Sequence, residues 1–550
     1  MRCSLVFLAA LSLVACGDDD RPGRDGGGGG DGGGGVDVAG CNMGQDADGD
    51  GIADDLEGTG DLDGDGTPNF QDDDSDGDGI LDRDEASDRP CRIRDTDGDG
   101  TPDWWDGDSD NDGLSDAEEV GTFNTDPRNR DTDMDGVTDL GEARGTMTDP
   151  TDPTSTIDVG DFFVVLPFNG PRENRRLQFG TDINIADVYF LIDTTGSMGA
   201  PIANVQSSLT TLAEQIRARI PNLEMGVGQF RDLPLDACGS GGILGGFGTC
   251  GSPGDMGYAH EQDITPDVAS VQTALNGLSA GGGADGPESH VVGLFHAATG
   301  LGATYTHSSG SWSLPPRTCP SRPDETTLRT GYPCFRPGAL PIFVVVTDVE
   351  MHNGPTGENP YEAVTPPPPT FASAMSALGS IGARFIGVAV NGGGRAHLEE
   401  AARQTGTVDG TGRPLVEDAA GGTVTNSILD AIGTLTGGVA QDVSTRTQNV
   451  PGNPDEFDAT TFIKAITPVE GFREGVPGTG YDSFDDTTFY NVIPGTIVEF
   501  SVEFLNDVRP PAETAQIFRA RIVVVGNGVT DLDSREVYII VPPDGATILI

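Results

Sequence analysis

The chain has 550 residues, with 88 acidic against 31 basic side chains and a formal net charge of −57. Charge of that sign and size repels phosphate backbones and excludes nucleic-acid binding. With 81 glycines and only 35% hydrophobic residues, the chain is too long for one core and too polar for every part to own one; two or three domains are expected beside a segment without a conventional core.

The N-terminus opens with Met1-Arg2, an apolar run from Leu5 to Leu13, and then Leu13-Val14-Ala15-Cys16. The run is too short to cross a bilayer and suits the apolar part of a secretory leader. Ending as it does, it resembles the lipobox of bacterial lipoproteins. The resemblance implies that residues 1–15 are a signal peptide and that Cys16 is lipidated and becomes the mature N-terminus. It also implies a bacterial cell envelope location, with Gly17 rather than Asp after the cysteine favouring the outer membrane or cell surface. The competing reading is an ordinary secretory leader with a chance cysteine. Residues 16–42 form a tether rich in glycine, with Gly26 to Gly35 broken only by Asp31. No later segment reaches the length of a transmembrane helix. Of eight cysteines, Cys3 leaves with the leader and Cys16 takes lipid. The six that remain suit an oxidising compartment. Local pairing suggests Cys238–Cys250 and Cys319–Cys334, which leaves Cys41 with Cys91.

Residues 1–160 hold half of the acids, 44 against 10 arginines, and most of these lie in 43–157. One pattern recurs six times, with acids at positions 1, 3 and 5, Gly at 6, an oxygen ligand at 9 and an acid at 12. The first copy is Asp46, Asp48, Asp50, Gly51, Asp54 and Glu57. The second is Asp61, Asp63, Asp65, Gly66, Asn69 and Asp72, and the third Asp74, Asp76, Asp78, Gly79, Asp82 and Glu85. The fourth is Asp95, Asp97, Asp99, Gly100, Asp103 and Asp106. The fifth is Asp108, Asp110, Asp112, Gly113, Asp116 and Glu119, and the sixth Asp131, Asp133, Asp135, Gly136, Asp139 and Glu142. Three carboxylates around a tight turn, a glycine where a side chain would resist the backbone angles, and a closing acid make an all-oxygen cage suited to Ca²⁺. Starts 15, 13, 21, 13 and 23 residues apart leave no room for the flanking helices of an EF-hand. The array looks like the thrombospondin type 3 calcium repeat, a mostly irregular chain wrapped around ions. Without Ca²⁺ such a segment is expected to be disordered; the competing reading is a disordered acidic spacer.

From 158 to 440 strand and helix patterns alternate. Asp187 to Ile192, Glu224 to Phe230, Leu340 to Thr347 and Arg384 to Val390 read as strands. Pro201 to Ile220, Val268 to Leu278, Glu288 to Thr299, Phe371 to Leu378, Ala396 to Gln404 and Asn426 to Leu435 read as helices. This predicts a doubly wound α/β parallel sheet with ligands beyond the carboxyl ends of its strands. The first strand ends in Asp193-Thr194-Thr195-Gly196-Ser197, and Asp285-Gly286-Pro287-Glu288 follows a glycine run. Asp348 ends the strand Phe343 to Thr347, and Asp232 follows the second strand. These motifs resemble the metal-ion-dependent adhesion site of von Willebrand factor A domains, in the variant of the integrin β-subunit I-like domain. By resemblance, Asp193, Thr195, Ser197, Glu288 and Asp348 surround Mg²⁺. Asp232, Asp285, the Pro287 carbonyl and Glu288 hold a neighbouring Ca²⁺. Gly199-Ala200-Pro201 replaces the acids of a third site, which is therefore expected to be absent, and Gly283 stands where the second site often has Asn. The competing reading is a structural metal or a satisfied loop.

Gly277-Leu-Ser-Ala-Gly281 matches the hydrolase elbow in letters only, because a helix precedes it where a strand is required. The six histidines include no metalloprotease motif and read as surface or packing residues. Residues 441–550 read as short strands, Thr488 to Val492, Ile497 to Phe504, Gln516 to Val525 and Glu536 to Val541, and predict a C-terminal β-sandwich. The whole reads as a multidomain, membrane-anchored calcium protein, not an enzyme. Its expected partner is a protein presenting Asp or Glu to the Mg²⁺. The alternatives are a structural envelope or matrix component with stabilising metals, and an enzyme-associated scaffold.

Overall fold

The computed structural model describes residues 36–38, 41–42, 44–135, 137–155, 162–238, 249–320, 328–420, 423–512 and 515–542, residues 36 and 37 by backbone alone. The leader, Cys16 and most of the tether lie outside the described residues, as does Gly136. Internal contacts divide the chain into two units, 1–129 and 130–550. Among the described residues no helix is long and apolar enough to cross a membrane.

The first unit holds the first five acidic loops and almost no regular structure. Its elements are single turns, such as Asp54–Glu57, Asp82–Glu85 and Asp103–Trp105. A few apolar side chains are buried, Ile52, Trp104 and Leu114 among them. The Cys41–Cys91 disulfide closes the unit, beside the paired strands Val36–Asp37 and Arg92–Ile93. The sixth loop, expected with the other five, groups with the second unit. The reason is packing: the turn Gly141–Thr146 that follows it lies on Phe163 and Ile540.

The α/β part of the second unit is a six-stranded sheet. In spatial order its strands are Val416–Ala419, Arg384–Val390, Leu340–Thr347, Ile185–Asp193, Asn222–Phe230 and Ala259–Thr265; all are parallel except the last. Successive side chains of a strand face opposite ways. Val188, Phe190 and Ile192 therefore pack under helices Gly199–Arg217 and Val424–Gly438. Tyr189 and Leu191 pack under His290–Thr299, Phe371–Ser380 and Arg395–Gln404. Every residue of Leu340–Thr347 is buried, as befits a central strand covered on both faces. Ile202, Val205, Leu209, Leu212 and Ile216 recur at helical spacing on the buried side of Gly199–Arg217. The edge strand Ala259–Thr265 and the hairpin Ala303–His307 with Gly310–Leu314 were not predicted; they are half polar and show no clean period.

The remaining strands form two sheets around one core that includes Val164, Phe179, Val443, Phe500, Phe518 and Ile539. Here the predicted division at 158 and 441 fails. Phe162–Val165 pairs in parallel with Thr530–Val541, and Glu173–Gly180 pairs antiparallel with Ile497–Phe504. Both strands precede the α/β region in sequence yet belong to the sheets of the C-terminal strands, so residues 185–438 are an insertion within that body. Gln441–Asn449, Ile463–Arg473, Phe489–Val492 and Gln516–Gly526 belong to it as well. The cysteines pair as local spacing suggested, Cys238 with Cys250 and Cys319 with Cys334.

Candidate metal centres

The acidic loops share one backbone solution. Position 6 is left-handed at Gly51, Gly66, Gly79, Gly100 and Gly113, with φ between 98° and 103°. Position 4 is left-handed as well, at Gly49, Gly64, Gly77 and Gly98, and even at Asn111 and Met134. In all six loops one oxygen of the position 5 carboxylate accepts the N–H of position 7, at 2.7 to 2.8 Å. One oxygen of position 3 accepts the N–H of position 5, at 2.9 to 3.4 Å. The second oxygen is therefore left over. At Asp48, Asp50, Asp76, Asp78, Asp133 and Asp135 it is buried without any donor, as are both oxygens of Glu57 and Glu85. A buried carboxylate oxygen with no donor is costly, and clusters of them around a turn fit a hard divalent cation. Asp46, Asp48 and Asp50 bring ligand oxygens within 4.8 Å of one another, as do Asp61, Asp63 and Asp65, and Asp74, Asp76 and Asp78.

Position 9 behaves differently from the prediction. Its side-chain oxygen accepts the backbone N–H of position 2 in every loop, Asp54 from Ala47, Asn69 from Leu62, Asp82 from Ser75, Asp103 from Thr96, Asp116 from Ser109 and Asp139 from Thr132, at 2.8 to 3.0 Å. At Asp82, Asp103 and Asp139 the other oxygen takes the hydroxyl of the same partner. One oxygen of each of these side chains thus braces the turn; at Asp116 the other is buried with no donor, and Asp82 brings an oxygen within 4.8 Å of ligand oxygens of Asp50 and Glu57. Position 12 divides the loops. Glu57, Glu85, Glu119 and Glu142 are buried, whereas Asp72 and Asp106 accept the N–H of Asp74 and Asp108, at 3.2 Å, and so couple loops two to three and four to five.

In the α/β sheet the predicted ligands gather at the carboxyl ends of Ile185–Asp193 and Leu340–Thr347. Asp193 is fully buried. Its Oδ1 accepts from Thr195 N at 2.9 Å and Thr195 Oγ1 at 2.7 Å, and its Oδ2 accepts from Thr347 Oγ1 at 2.7 Å. Ser197 is exposed on the single turn Gly196–Met198. Glu288 is fixed through its backbone: its N–H donates to Glu350 O at 3.0 Å and its carbonyl accepts from His352 N at 2.8 Å. Gly283 is left-handed, and a side chain there would lie 2.9 Å from Glu288 Oε1 and 3.3 Å from Thr195. Glu288 and the Asp193 loop thus meet at this glycine. Glu288 Oε2 and Asp348 Oδ1 are buried with no donor. Burial first, then the charges of Asp232, Asp193 and Asp285, push the Glu288 carboxyl up to about 11. Burial also lifts Asp193, against its three donors, to about 6. A divalent cation would relieve both.

Asp232 and Asp285, predicted to hold a second ion, face a ring that sequence reading had left as packing. His352 Nε2 lies 3.2 Å from Asp232 Oδ2 and 3.3 Å from Asp285 Oδ2, and its Nδ1 donates to Asn359 O at 2.7 Å. Asp232 Oδ2 and Asp285 Oδ1 are nonetheless buried with no hydrogen-bond donor. Burial alone would lower the pKa of His352; the neighbouring carboxylates Asp232 and Asp285 outweigh that and hold it up to about 10. Asp232 also accepts from Leu233 N at 2.7 Å and from the Tyr361 hydroxyl. The position of His352, four residues after Asp348, was visible in sequence, but nothing there marked its direction. The hydroxyl residues at position 2 of four acidic loops were the available signal for the bracing role of position 9.

No protein-family model matches the chain, and no curated protein does. Solved structures do. A von Willebrand factor type A protein from Catenulispora acidiphila is 12% identical, over 70% of this chain and 72% of that one, with a TM-score of 0.30. Proximal thread matrix protein 1 from the mussel byssus is 12% identical over 46% of this chain and 49% of its own, with a TM-score of 0.27. The pilus adhesin SpaC from Lactobacillus rhamnosus GG, in its open conformation, is 12% identical over 67% of this chain and 45% of its own, with a TM-score of 0.26.

Proposed function

We propose that the chain is a lipid-anchored surface protein of the bacterial envelope, with a calcium-filled acidic array and an α/β head that recognises a carboxylate on a protein partner. The observation that carries this reading is the pair of donor-less buried oxygens, Glu288 Oε2 and Asp348 Oδ1, beside the fully oriented carboxylate of Asp193. Asp193, Thr195, Ser197, Glu288 and Asp348 are the residues that would hold Mg²⁺. When bound, the ion supplies a coordination position that a foreign Asp or Glu can complete, since Mg²⁺ keeps exchangeable waters in such sites. The protein's own contribution is orientation. Thr195 and Thr347 lock Asp193, and the backbone of 350–352 locks Glu288. Asp232, Asp285, the Pro287 carbonyl and Glu288 would hold a second, neighbouring Ca²⁺, a reading supported by the donor-less buried oxygens Asp232 Oδ2 and Asp285 Oδ1. In the acidic loops, positions 1, 3, 5 and 12 would hold Ca²⁺, joined by position 9 at Asp82 and Asp116.

One observation favours a second reading. Both Asp193 oxygens already have protein donors, as expected of a head that needs no ion to stay formed and of a structural envelope component whose metals only stiffen it. Capture from native surface extract separates the two, with wild type beside Asp193→Ala, in Mg²⁺ and in EDTA. The recognition reading expects a partner retained by wild type in Mg²⁺ alone; capture indifferent to both changes ends it. Lipidation is tested by radiolabelled palmitate on wild type and Cys16→Ser.

A further inference from the structure

Arg231 is the residue directly after strand Asn222–Phe230 and directly before Asp232. Its side chain is largely buried, at 16% exposure, and its planar fork reaches two segments at once. Nε donates to the carbonyl of Thr194 at 3.1 Å and to Thr194 Oγ1 at 3.2 Å, inside the Asp193–Ser197 loop. One terminal nitrogen donates to Ser279 O at 3.0 Å, and the other faces Asp255 Oδ1 at 3.4 Å. Asp255 is itself buried, and its Oδ2 accepts from Ser252 N at 2.6 Å and from Gly283 N at 2.9 Å. The backbone takes part as well: the Arg231 carbonyl accepts from Ser289 N and Ser289 Oγ, both at 2.9 Å. One residue therefore fastens the loop of Asp193, the glycine run that touches Glu288, and the residue that follows Glu288.

We propose that Arg231 is a positioning residue of the head's metal site: acting through Thr194, Asp255 and Ser289, it sets the separation of the Asp193 loop from Glu288. The inference rests on the reading of Asp193, Thr195, Ser197, Glu288 and Asp348 as a metal site. Its physical basis is the fork. Five donors in one plane bridge two loops, whereas the single ammonium of lysine holds one. The Asp193 loop and the run before Glu288 carry five glycines between them, at 196, 281, 282, 283 and 286, and have little stiffness of their own. Residues that orient metal ligands typically govern affinity by about 10–100-fold.

The test uses the full chain with Ca²⁺ in excess, so that the acidic loops are filled, and Mn²⁺ as the probe. Free Mn²⁺ is counted by electron paramagnetic resonance, and the difference between wild type and Asp193→Ala isolates the head site. Arg231→Gln and Arg231→Lys are expected to weaken that site by about 10–100-fold, while the melting transition of the head in EDTA stays close to that of wild type. Should Arg231→Gln fail to fold, Arg231→Lys keeps the charge and the stem, loses the fork, and carries the same expectation. Wild-type Mn²⁺ affinity in the folded Arg231 variants overturns the positioning role, whether or not they melt lower. A wild type that binds no more Mn²⁺ than Asp193→Ala overturns the site reading itself.

Discussion

Removing divalent cations with EDTA at pH 7 is expected to unfold the first unit, and acidifying the same solution to about pH 4 to restore it. Glu57, Glu85 and Glu119 are 1%, 5% and 0% exposed. Without a cation, burial first and then neighbouring carboxylates, led by Asp50, Asp76 and Asp110, hold them at about 9, 10 and 10. An unfolded glutamate titrates near ~4.3. The folded form therefore holds the extra protons. Its stability is complete below about pH 4, declines as the pH climbs, and keeps declining until the folded pKa values are passed. At pH 7 the loss is about 4 kcal/mol for each glutamate. Three of them match the ~5–15 kcal/mol by which an ordinary domain is stable. Calcium takes the place of the protons and removes the penalty. Tryptophan emission reads the transition, because Trp104 and Trp105 are two of only three tryptophans and Trp104 is fully buried in the fourth loop. Emission should shift to the red in EDTA at pH 7 and return with Ca²⁺ or with acid. A chain whose emission and urea midpoint at pH 7 ignore EDTA, or which loosens further at pH 4, refutes the reasoning.

Three more outcomes are expected. Glu288→Gln imitates the protonated acid that burial enforces without metal, so calorimetry should find its head melting like wild type in EDTA but no longer raised by Mg²⁺; a full Mg²⁺ response in this variant would remove Glu288 from the site. Asp103→Asn should leave calcium titrations of tryptophan emission unchanged, since an amide oxygen can brace position 2 as Asn69 does, whereas Asp103→Ala should cost about 1–2 kcal/mol. If Asn instead weakens calcium as much as Ala, position 9 is a ligand after all. Phe179→Ala should destabilise the C-terminal strands by about 3–5 kcal/mol in urea, because Phe179 is fully buried against Phe500; a neutral effect would contradict the assignment of Glu173–Gly180 to that core.

The legible parts of the fold were those with a local period. Leu340–Thr347 and Arg384–Val390 are unbroken apolar strands, and the acidic loops announce their turns through glycines at fixed positions. Glu173–Gly180 reads as charge, with only Phe179 buried. Its partner lies more than 300 residues away, Glu173 opposite Phe504, so no local pattern could reveal that the α/β region is an insertion. Gln441–Asn449 and Ile463–Arg473 are half polar and escaped for the same reason. At the sites, residue type and spacing named the acids. They could not tell which oxygens are already consumed by the backbone, and that distinction gave position 9 a bracing role and placed His352 beside Asp232 and Asp285.

The inserted position of the head has a mechanical meaning. The chain enters it after Gly180 and leaves it at Gly438, and both connections run into the same body. Traction on the end that carries Asp193 and Glu288 therefore divides between two covalent legs. One leg lies along Ile497–Phe504 through eight residue pairs. The other, Gln441–Asn449, is an inner strand of the opposite sheet, flanked on both sides. Tension along those legs loads whole rows of backbone hydrogen bonds in shear, where a single flexible linker would let the head peel away bond by bond.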